Sequence, residues 1–218
     1  MAKGVFITFE GSEGCGKSTQ IELLARRLHS LGYRVRTTRE PGGTLIGEEI
    51  RHTLKHSNDN GAMTPEAELL LMNASRAQLV REVIRPALAS GEVVVCDRFF
   101  DSTLAYQGYG RQLNLKLVQS VIDAAVDGTR PDLTLLLTVA PEISELRRAM
   151  RQSTLPFMRD RIEEADRAFF ERVDRGFAAL AAAEPKRFRN VEASGSIEGV
   201  SERIWELVRP ALPTLGRW

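Results

Sequence analysis

A glycine-rich segment near the start of the chain has the residue types and the spacing of a phosphate-binding loop. Residues 11–18 read GSEGCGKS and fit the pattern G-x-x-x-x-G-K-[ST]. The glycines let backbone N–H groups turn inward around phosphate oxygens, and a following helix adds the positive end of its dipole. Lys17 is expected to reach the β- and γ-phosphates, and Ser18 to bind Mg²⁺. The residues predicted to contact a nucleoside triphosphate are Gly11, Ser12, Glu13, Gly14, Cys15, Gly16, Lys17, Ser18 and Thr19.

A second candidate is an acidic residue at the end of an apolar segment. Residues 93–97 read VVVCD, which predicts a buried strand that ends at Asp97. In a protein with a phosphate-binding loop, such an aspartate usually holds the Mg²⁺ shell beside the loop serine, here Ser18. A helix N-cap is the alternative role for an acid at this position. Arg98 follows at once, and a cation beside the metal indicates that a second phosphate binds there.

These residues need strands and helices that bring them to one edge of the molecule. Short apolar segments predict five strands, and a 3.6-residue periodicity predicts helices between them. The predicted strands are 5–9, 33–38, 92–97, 133–139 and 188–191, and the predicted helices are 18–31, 45–54, 64–85, 114–126, 142–150, 163–183 and 197–208. Strands that alternate with helices indicate a three-layer α/β/α fold, with a five-stranded parallel sheet covered on both faces. Ligands of such a fold bind beyond the carboxyl ends of the strands.

The composition is that of one ordinary globular domain spanning residues 1–218. The chain is 43% hydrophobic and 27% charged, with a formal net charge of +1. This balance argues against a nucleic-acid-binding protein, which would carry an excess of positive charge. No apolar segment reaches the ~18 residues that span a membrane, and the first residues lack the apolar core of a signal peptide. Cys15 and Cys96 show no C-x-x-C spacing, so we expect a cytoplasmic protein with reduced cysteines and no membrane contact.

The phosphate-binding loop and Asp97 do not by themselves separate a kinase from a GTPase or a motor ATPase. The sequence contains no N-K-x-D segment, with which GTPases read guanine, and a motor would normally be longer. A small-molecule kinase needs a second anion site, for which Arg39, Arg76 and Arg98 are the candidates. It also needs a lid that excludes water. We expect a mobile lid at residues 147–161, an arginine-rich segment that contains a proline. Surface arginines and a solvated helix face are the alternatives.

Six segments, in order along the chain, together resemble the bacterial thymidylate kinases. They are residues 11–19, 39–44 (REPGGT), 74–76 (ASR), 97–99 (DRF), 105–108 (AYQG) and 160–163 (DRIE). The resemblance runs over essentially the whole chain, and its second, fourth and fifth segments are far more specific than the phosphate-binding loop alone. It implies a P-loop NTPase fold and transfer of the γ-phosphoryl group from Mg-ATP to dTMP, which gives dTDP and ADP. It also implies a homodimer.

The resemblance assigns roles to residues around the sugar and phosphate of dTMP. Glu13 matches the acid that contacts the 3′-hydroxyl group, and Arg39 and Arg98 match arginines near the phosphate. The R-E-P-G-G segment adds Pro41 to the dTMP-binding residues. Tyr106 matches the aromatic residue beside C2′, where it leaves little room for the 2′-hydroxyl of a ribonucleotide. From the residues alone, a turn anchor is the alternative role for Tyr106 and for Gln107.

The resemblance also assigns the residues that read thymine. Arg76 matches an arginine that donates to thymine O4, and Thr103 and Gln107 match residues that read the base edge, notably N3. Met72 occupies a position where the family usually has a phenylalanine that stacks on the base. Methionine covers a ring face through its polarizable sulfur but makes a softer contact. We therefore hypothesise that Met72→Phe lowers the Michaelis constant for dTMP.

The catalytic residues implied are Lys17, Asp97, Arg98 and one arginine of the lid. Some members of the family carry a basic residue inside the phosphate-binding loop. This chain has Gly14 after Glu13, so the lid must supply that cation. Its candidates are Arg148, Arg151 and Arg159.

Two other functions remain open from the sequence. One is a kinase for another nucleoside monophosphate or for a deoxynucleoside. The other is a nucleotide-binding regulatory protein without transfer activity, which would be expected to have lost Lys17 or Asp97. Both residues are present.

Overall fold

The computed structural model describes residues 4–57, 60–154, 161–162 and 165–213. Its centre is a five-stranded sheet in which all neighbouring strands are parallel, in the order β2-β3-β1-β4-β5. The strands are β1 (Val5–Glu10), β2 (Val35–Arg39), β3 (Val93–Asp97), β4 (Leu133–Thr138) and β5 (Phe188–Glu192). The predicted parallel sheet is confirmed, and its strand ends differ from the prediction by no more than two residues.

Helices connect the strands. They are α1 (Lys17–Ser30), α2 (Leu45–Arg51), α3 (Pro65–Leu79), α4 (Arg85–Ala89), α5 (Phe100–Thr103), α6 (Leu115–Val126), α7 (Pro141–Thr154), α8 (Arg167–Ala183) and α9 (Ile197–Val208). Three π-helical segments extend them: His52–His56 continues α2, Val80–Ile84 joins α3 to α4, and Leu104–Gly110 continues α5.

The sheet is buried on both faces because helices cover each of them. Alternate side chains of β1 point to opposite faces, so Ile7 and Phe9 pack with α1 and α9 in one core cluster. Phe6 packs on the other face with α3, α4 and α6. A third cluster on that face joins Leu136 of β4 to α8 and to Tyr106. The predicted three-layer arrangement is therefore confirmed.

Three helices differ from the sequence prediction. The helix predicted over 64–85 continues to Ala89, and Pro86 lies in the first turn of α4, directly after the π-helical segment. The helix predicted over 142–150 runs from Pro141 to Thr154 and so includes the first part of the predicted lid, of which residues 155–160 lie outside the described residues. The helix predicted from residue 163 begins at Arg167, where the Asp166 side chain caps it by accepting a hydrogen bond from the Phe169 N–H.

A fourth difference concerns residues 100–110, for which no helix was predicted. The structure folds them into α5 and the π-helical segment that follows it. The turn considered for Tyr106 is therefore not what the structure contains. In the part of the chain that the structure describes, no helix has the length and apolar character needed to cross a membrane.

Candidate active site

The phosphate-binding loop connects β1 to α1, as its sequence predicted. Two of its glycines are required by both conformation and space. Gly11 has φ +128°, and a side chain there would meet the Leu137 carbonyl oxygen at 2.2 Å. Gly14 has φ +77°, and a Cβ atom at this position would lie 3.0 Å from the Ser144 carbonyl oxygen. The loop is therefore seated tightly between the end of β4 and helix α7.

Lys17 begins α1 and is almost completely buried within the loop. Its ammonium group donates hydrogen bonds to the carbonyl oxygens of Gly11 (3.0 Å) and Ser12 (2.9 Å). These bonds hold the cation inside the curve of the loop, at the place where the sequence predicts the β- and γ-phosphates.

Ser18 and Asp97 meet beside the loop, as the sequence predicted. The Ser18 hydroxyl group donates a hydrogen bond of 2.9 Å to Asp97 Oδ2. A hydroxyl and a carboxylate oxygen form a hard donor set of the kind that Mg²⁺ prefers, with phosphate oxygens and water completing its octahedron. The described residues contain no cluster of three or more histidine, cysteine, aspartate or glutamate side chains that could hold a metal by themselves. The donor set thus fits a Mg²⁺ ion that arrives with the nucleotide.

Arg98 links the loop to a second cavity. Its guanidinium donates to the Gly11 carbonyl oxygen (2.9 Å), to Glu13 Oε1 (2.8 Å) and to the Tyr106 hydroxyl oxygen (3.2 Å). The Arg98 backbone has φ +68°, a left-handed conformation that is uncommon for a non-glycine residue and tends to occur at functional sites. Burial alone would lower the pKa of Arg98, but the carboxylate of Glu13 and other negative groups raise it well above its usual value. Arg98 therefore remains a cation in a nearly dry environment.

The second cavity lies between α3 and the helix of residues 100–110. It collects most of the residues that the sequence assigned to dTMP. The residues lining it are Glu13, Glu40, Pro41, Lys55, Met72, Arg76, Arg98, Phe99, Ser102, Thr103, Tyr106, Gln107 and Ile162.

Arg76 is the most deeply buried cation of this cavity. Its Nε atom donates to Glu40 Oε2 (2.8 Å), and its Nη1 atom donates to Asn73 Oδ1 (2.7 Å). Its Nη2 atom donates to the Thr103 hydroxyl oxygen (2.9 Å). These bonds fix the plane of the guanidinium. Arg76 was also a candidate for the second anion site, but its carboxylate partner and its burial make it a directed hydrogen-bond donor.

Tyr106 and Gln107 enter the cavity from the π-helical segment. The Tyr106 ring lies under the Arg98 guanidinium at 5.0 Å and contacts Phe169 edge to face. Burial raises the pKa of Tyr106 well above its usual value, so its hydroxyl group stays protonated. The Gln107 amide donates a hydrogen bond of 2.7 Å to Glu68, a residue of α3 that does not itself line the cavity.

Not every predicted site residue joins the cavity. Arg39 is half exposed and pairs with Glu48 at 2.8 Å, and it is not among the residues that line the cavity. Arg148 and Arg151 lie on α7, but the structure does not describe their side chains, and Arg159 lies outside the described residues. Their neighbour Arg147 donates to the Gly14 carbonyl oxygen at 3.1 Å, so α7 does reach the phosphate-binding loop.

Sequence reasoning missed three buried glutamates around the cavity: Glu10, Glu40 and Glu68. Glu10, the last residue of β1, accepts from the Phe99 N–H (2.7 Å) and the Ser102 hydroxyl (2.5 Å). Burial, followed by the charge of Asp101, raises the pKa of Glu10 to about 8. For Glu10, the signal in the sequence was its position directly before the phosphate-binding loop.

A larger cavity of about 530 Å³ opens against the phosphate-binding loop, between α7 and α8. Glu145, Glu171 and Asp174 line it, with Arg167 as its one basic side chain. This excess of negative charge disfavours a phosphorylated acceptor. The cavity that contains Arg76 and Arg98 has more basic side chains in its lining.

Comparison with known proteins agrees with this geometry. Residues 9–204 match the family model described as thymidylate kinase. The chain is 50% identical over 208 residues to a thymidylate kinase of Synechococcus sp. (strain JA-3-3Ab), an alignment covering 95% of this chain and 97% of the relative. It is 48% identical to a thymidylate kinase of Syntrophotalea carbinolica, covering 95% and 96% of the two chains. The crystal structure of thymidylate kinase from Ehrlichia chaffeensis superposes with a TM-score of 0.76 at 31% identity, covering 95% of this chain and 99% of that one.

Proposed function

Because this chain belongs to the thymidylate kinase family and transfers the γ-phosphoryl group of ATP to dTMP, we propose that dTMP binds in the cavity between α3 and residues 100–110. One observation carries the proposal: the Arg98 guanidinium lines this cavity and at the same time bonds to the phosphate-binding loop. A phosphate held by Arg98 would therefore lie beside the γ-phosphate of ATP.

The orientation of dTMP follows from the distribution of charge along the cavity. Arg98 and the loop form its cationic end, where the 5′-phosphate belongs. Thymine lies at the other end, between Arg76, Thr103 and Gln107. Tyr106, between these ends, faces the sugar together with Glu13.

ATP binds along residues 11–19 in this proposal. The backbone N–H groups of the loop and the amino end of α1 hold its phosphates. Lys17 exchanges its bonds to the Gly11 and Ser12 carbonyl oxygens for bonds to the β- and γ-phosphates. Such an exchange needs only rotation of the Lys17 side chain.

Ser18 and Asp97 would hold Mg²⁺, partly through water, and a bound ion would supply neutralisation of phosphate charge. Because the attacking oxygen of dTMP is already anionic, the reaction needs no strong general base. The chain's own contribution is to position the two phosphates and to stabilise charge through Lys17, Arg98 and an arginine of the lid. Arg148, Arg151 and Arg159 remain the proposed lid residues.

Matched arginine variants test the acceptor site. Arg98→Met should lower kcat/KM for dTMP by about 100- to 1000-fold, the usual effect of removing one preorganised donor of charge. Arg39→Met removes an arginine that pairs with Glu48 outside the cavity, so its effect should be less than about tenfold. If the two variants lose activity equally, the phosphate of dTMP lies nearer to Arg39 and our placement is wrong.

The exposed apolar residues of α2, α3 and α6 support a homodimer. Leu45, Ile46, Leu70 and Leu117 are each at least half exposed, and the three helices pack side by side. Exposed apolar residues on neighbouring helices are typical of an interface between copies. Light scattering of the purified protein should give twice the chain mass, and Leu70→Glu should halve it. A monomeric wild-type protein would refute the dimer.

We also propose a cytoplasmic location. Cys15 and Cys96 are both free and buried, which fits a reducing compartment. Fractionation of the source cells with an antibody against this chain tests the location, and recovery outside the cytoplasmic fraction would refute it.

A further inference from the structure

Glu68 is the centre of a buried hydrogen-bond network behind the dTMP cavity. Its side chain is 1% exposed and accepts hydrogen bonds from three different residues. Gln107 Nε2 donates at 2.7 Å, and Arg111 donates through Nε at 3.2 Å and Nη2 at 3.1 Å. Arg161, at the described end of the lid, donates to the second carboxylate oxygen. No predicted role used this residue.

The network determines which end of the Gln107 amide faces the cavity. Burial by itself would raise the pKa of Glu68, but the hydrogen bonds and charge of Arg111, with Gln107 and Arg161, bring it below its usual value. Glu68 is therefore ionised at neutral pH, and a carboxylate can only accept hydrogen bonds. The amino end of the Gln107 amide must face Glu68.

The carbonyl end of the same amide is left for a ligand. Gln107 lines the cavity, and its carbonyl oxygen accepts no hydrogen bond from the residues that the structure describes. An acceptor that faces the cavity and has no protein donor is open to a donor on a ligand. The cavity thus presents a hydrogen-bond acceptor at a fixed place.

Arg76, which lines the same cavity, presents a donor. A guanidinium has five N–H groups and no acceptor. The Nε atom of Arg76 donates to Glu40, and one N–H of its Nη1 atom donates to Asn73. Its Nη2 atom donates to the Phe99 carbonyl oxygen and to the Thr103 hydroxyl oxygen. The second N–H of Nη1 has no acceptor among the described residues and remains available to a ligand.

We propose that Glu68 is a positioning residue that makes this cavity select 4-oxo over 4-amino pyrimidines. The proposal deepens the proposed function, since it requires that the cavity hold the base of dTMP. Thymine offers an acceptor at O4 and a donor at N3–H, which complement the Arg76 donor and the Gln107 acceptor. Cytosine offers a donor and an acceptor at the same two positions, so it opposes both groups. Without Glu68 the Gln107 amide is free to rotate by 180°, so that it can accept from thymine N3–H or donate to cytosine N3.

Glu68→Gln is the first test, because it keeps the shape of the side chain but gives it a donor of its own. The dissociation constants of dTMP and dCMP are measured by titration calorimetry of the whole protein. We expect the preference for dTMP over dCMP to fall at least about tenfold, an effect the size of one buried mismatched hydrogen bond. The KM for ATP should stay within about twofold, which a general loosening of the fold would not allow.

A swapped pair of residues gives a rescue test. In the double variant Glu68→Gln/Gln107→Glu, the amide at 68 donates to the carboxylate at 107, whose other oxygen accepts from N3–H. The double variant should bind dTMP more tightly than either single variant. Additive losses would count against the proposal.

Arg111→Lys is the matched control. It removes the forked hydrogen bonds of the guanidinium to Glu68 but keeps the positive charge that holds Glu68 ionised, and it leaves the bond from Gln107. The dTMP preference should therefore stay within about twofold of wild type, and a loss as large as that of Glu68→Gln would count against the orientation of Gln107 as the cause of selectivity.

Gln107→Leu separates failure of this proposal from failure of the proposed function. If Gln107→Leu lowers the preference while Glu68→Gln does not, the cavity holds the base but Glu68 does not orient its reader. If neither variant changes the preference, the base binds elsewhere and both proposals fail. If Glu68→Gln does not fold, Glu68→Asp is the second test. Its shorter carboxylate still pairs with the arginines but no longer reaches the Gln107 amide. An unchanged preference in Glu68→Asp would overturn the role of Glu68.

Discussion

Two buried glutamates lie behind the proposed dTMP cavity, one behind Arg76 and the other behind Gln107. They differ in the number of hydrogen-bond donors that surround each carboxyl group. Glu40 holds Arg76, and Glu68 holds Gln107. Glu40 has one cationic partner, and its Oε1 atom has no hydrogen-bond partner in the described structure. Burial, opposed by Arg76, raises the pKa of Glu40 to about 7. The pKa of Glu68 lies below its usual value because two arginines and an amide surround it.

The comparison shows that depth of burial alone does not decide the charge of a carboxyl group. Both side chains are almost completely buried, yet one titrates near neutrality and the other in acid. The number of donors that replace the lost water decides the difference. The charge of Glu40 can change near neutral pH without changing what Arg76 offers, because a guanidinium is always a hydrogen-bond donor. The Gln107 acceptor needs Glu68 ionised, since a protonated carboxyl could itself donate to Gln107.

The largest effect is expected from removing the donor that Arg76 presents. Arg76→Met should weaken dTMP binding about 100-fold, since it leaves thymine O4 and Glu40 without a partner. Titration calorimetry measures the dissociation constant, and thermal unfolding measures the accompanying loss of stability.

Arg187→Met is the control for a buried arginine that faces no ligand. Arg187 pairs with Asp101 at 2.6 Å and also bonds to Glu184 and Thr134. Its loss should cost about 3–5 kcal/mol of stability, but the folded variant should bind dTMP as wild type does. Equal losses of dTMP affinity in the two variants would end the distinction between a reading arginine and a structural one.

The next largest effect is on the pH dependence of stability. Because the pKa of Glu40 is raised from 4.5 to about 7 on folding, its contribution is fully present below pH 4.5 and is lost as pH rises through 7. Glu40→Gln should therefore reduce the fall in Tm between pH 5 and pH 8 by about 5 °C, leaving the part due to Glu10.

Glu68→Gln should behave in the opposite way. The lowered pKa of Glu68 contributes stability above pH 4.5 that is lost in acid. This variant should melt at a lower temperature by a similar amount at pH 5.5 and at pH 8. Melting curves in which both variants show the same dependence on pH would contradict the contrast between the two glutamates.

The smallest effect is expected at Met72, and it concerns the KM for dTMP. Met72 lines the cavity and packs against the cluster formed by α8 and Tyr106. Met72→Phe should lower the KM for dTMP by about two- to fivefold, because a flat ring stacks better on thymine than a flexible thioether. Steady-state kinetics with saturating ATP measures it, and an unchanged or higher KM would reject the hypothesis.

Much of this protein was predictable because its signals are local. The phosphate-binding loop needs glycines at set positions between a strand and a helix, and the sequence shows all three parts. Asp97 ends an apolar segment that can only be a buried strand. Parallel strands end at the same edge of a sheet, so its meeting with Ser18 followed from the order of elements.

The glutamates behind the cavity were not predictable, since an acid in a helix or after a strand is usually exposed. Glu68 lies in the apolar stretch of α3 without any motif, and its partners are 39 and 43 residues away for Gln107 and Arg111. The helix over 100–110 was missed because its glycines and tyrosines read as a turn. Arg39 was a candidate both for the second anion site and, through its motif, for dTMP; it ends β2, pairs with Glu48 and is not among the residues that line the cavity.

The sequence by itself determined the sheet, the place of the loop and the meeting of Ser18 with Asp97, because backbone geometry and short-range spacing dictate them. Only the tertiary structure decided which arginines read a ligand and which hold the fold. A guanidinium acquires a role from the partners that occupy its N–H groups, and those partners come from distant parts of the chain. Arg76, Arg98 and Arg187 are alike in the sequence but are buried among different carboxylates. For this reason we propose that Arg76 reads the base and Arg98 binds the phosphate, whereas Arg187 forms an ion pair of the core.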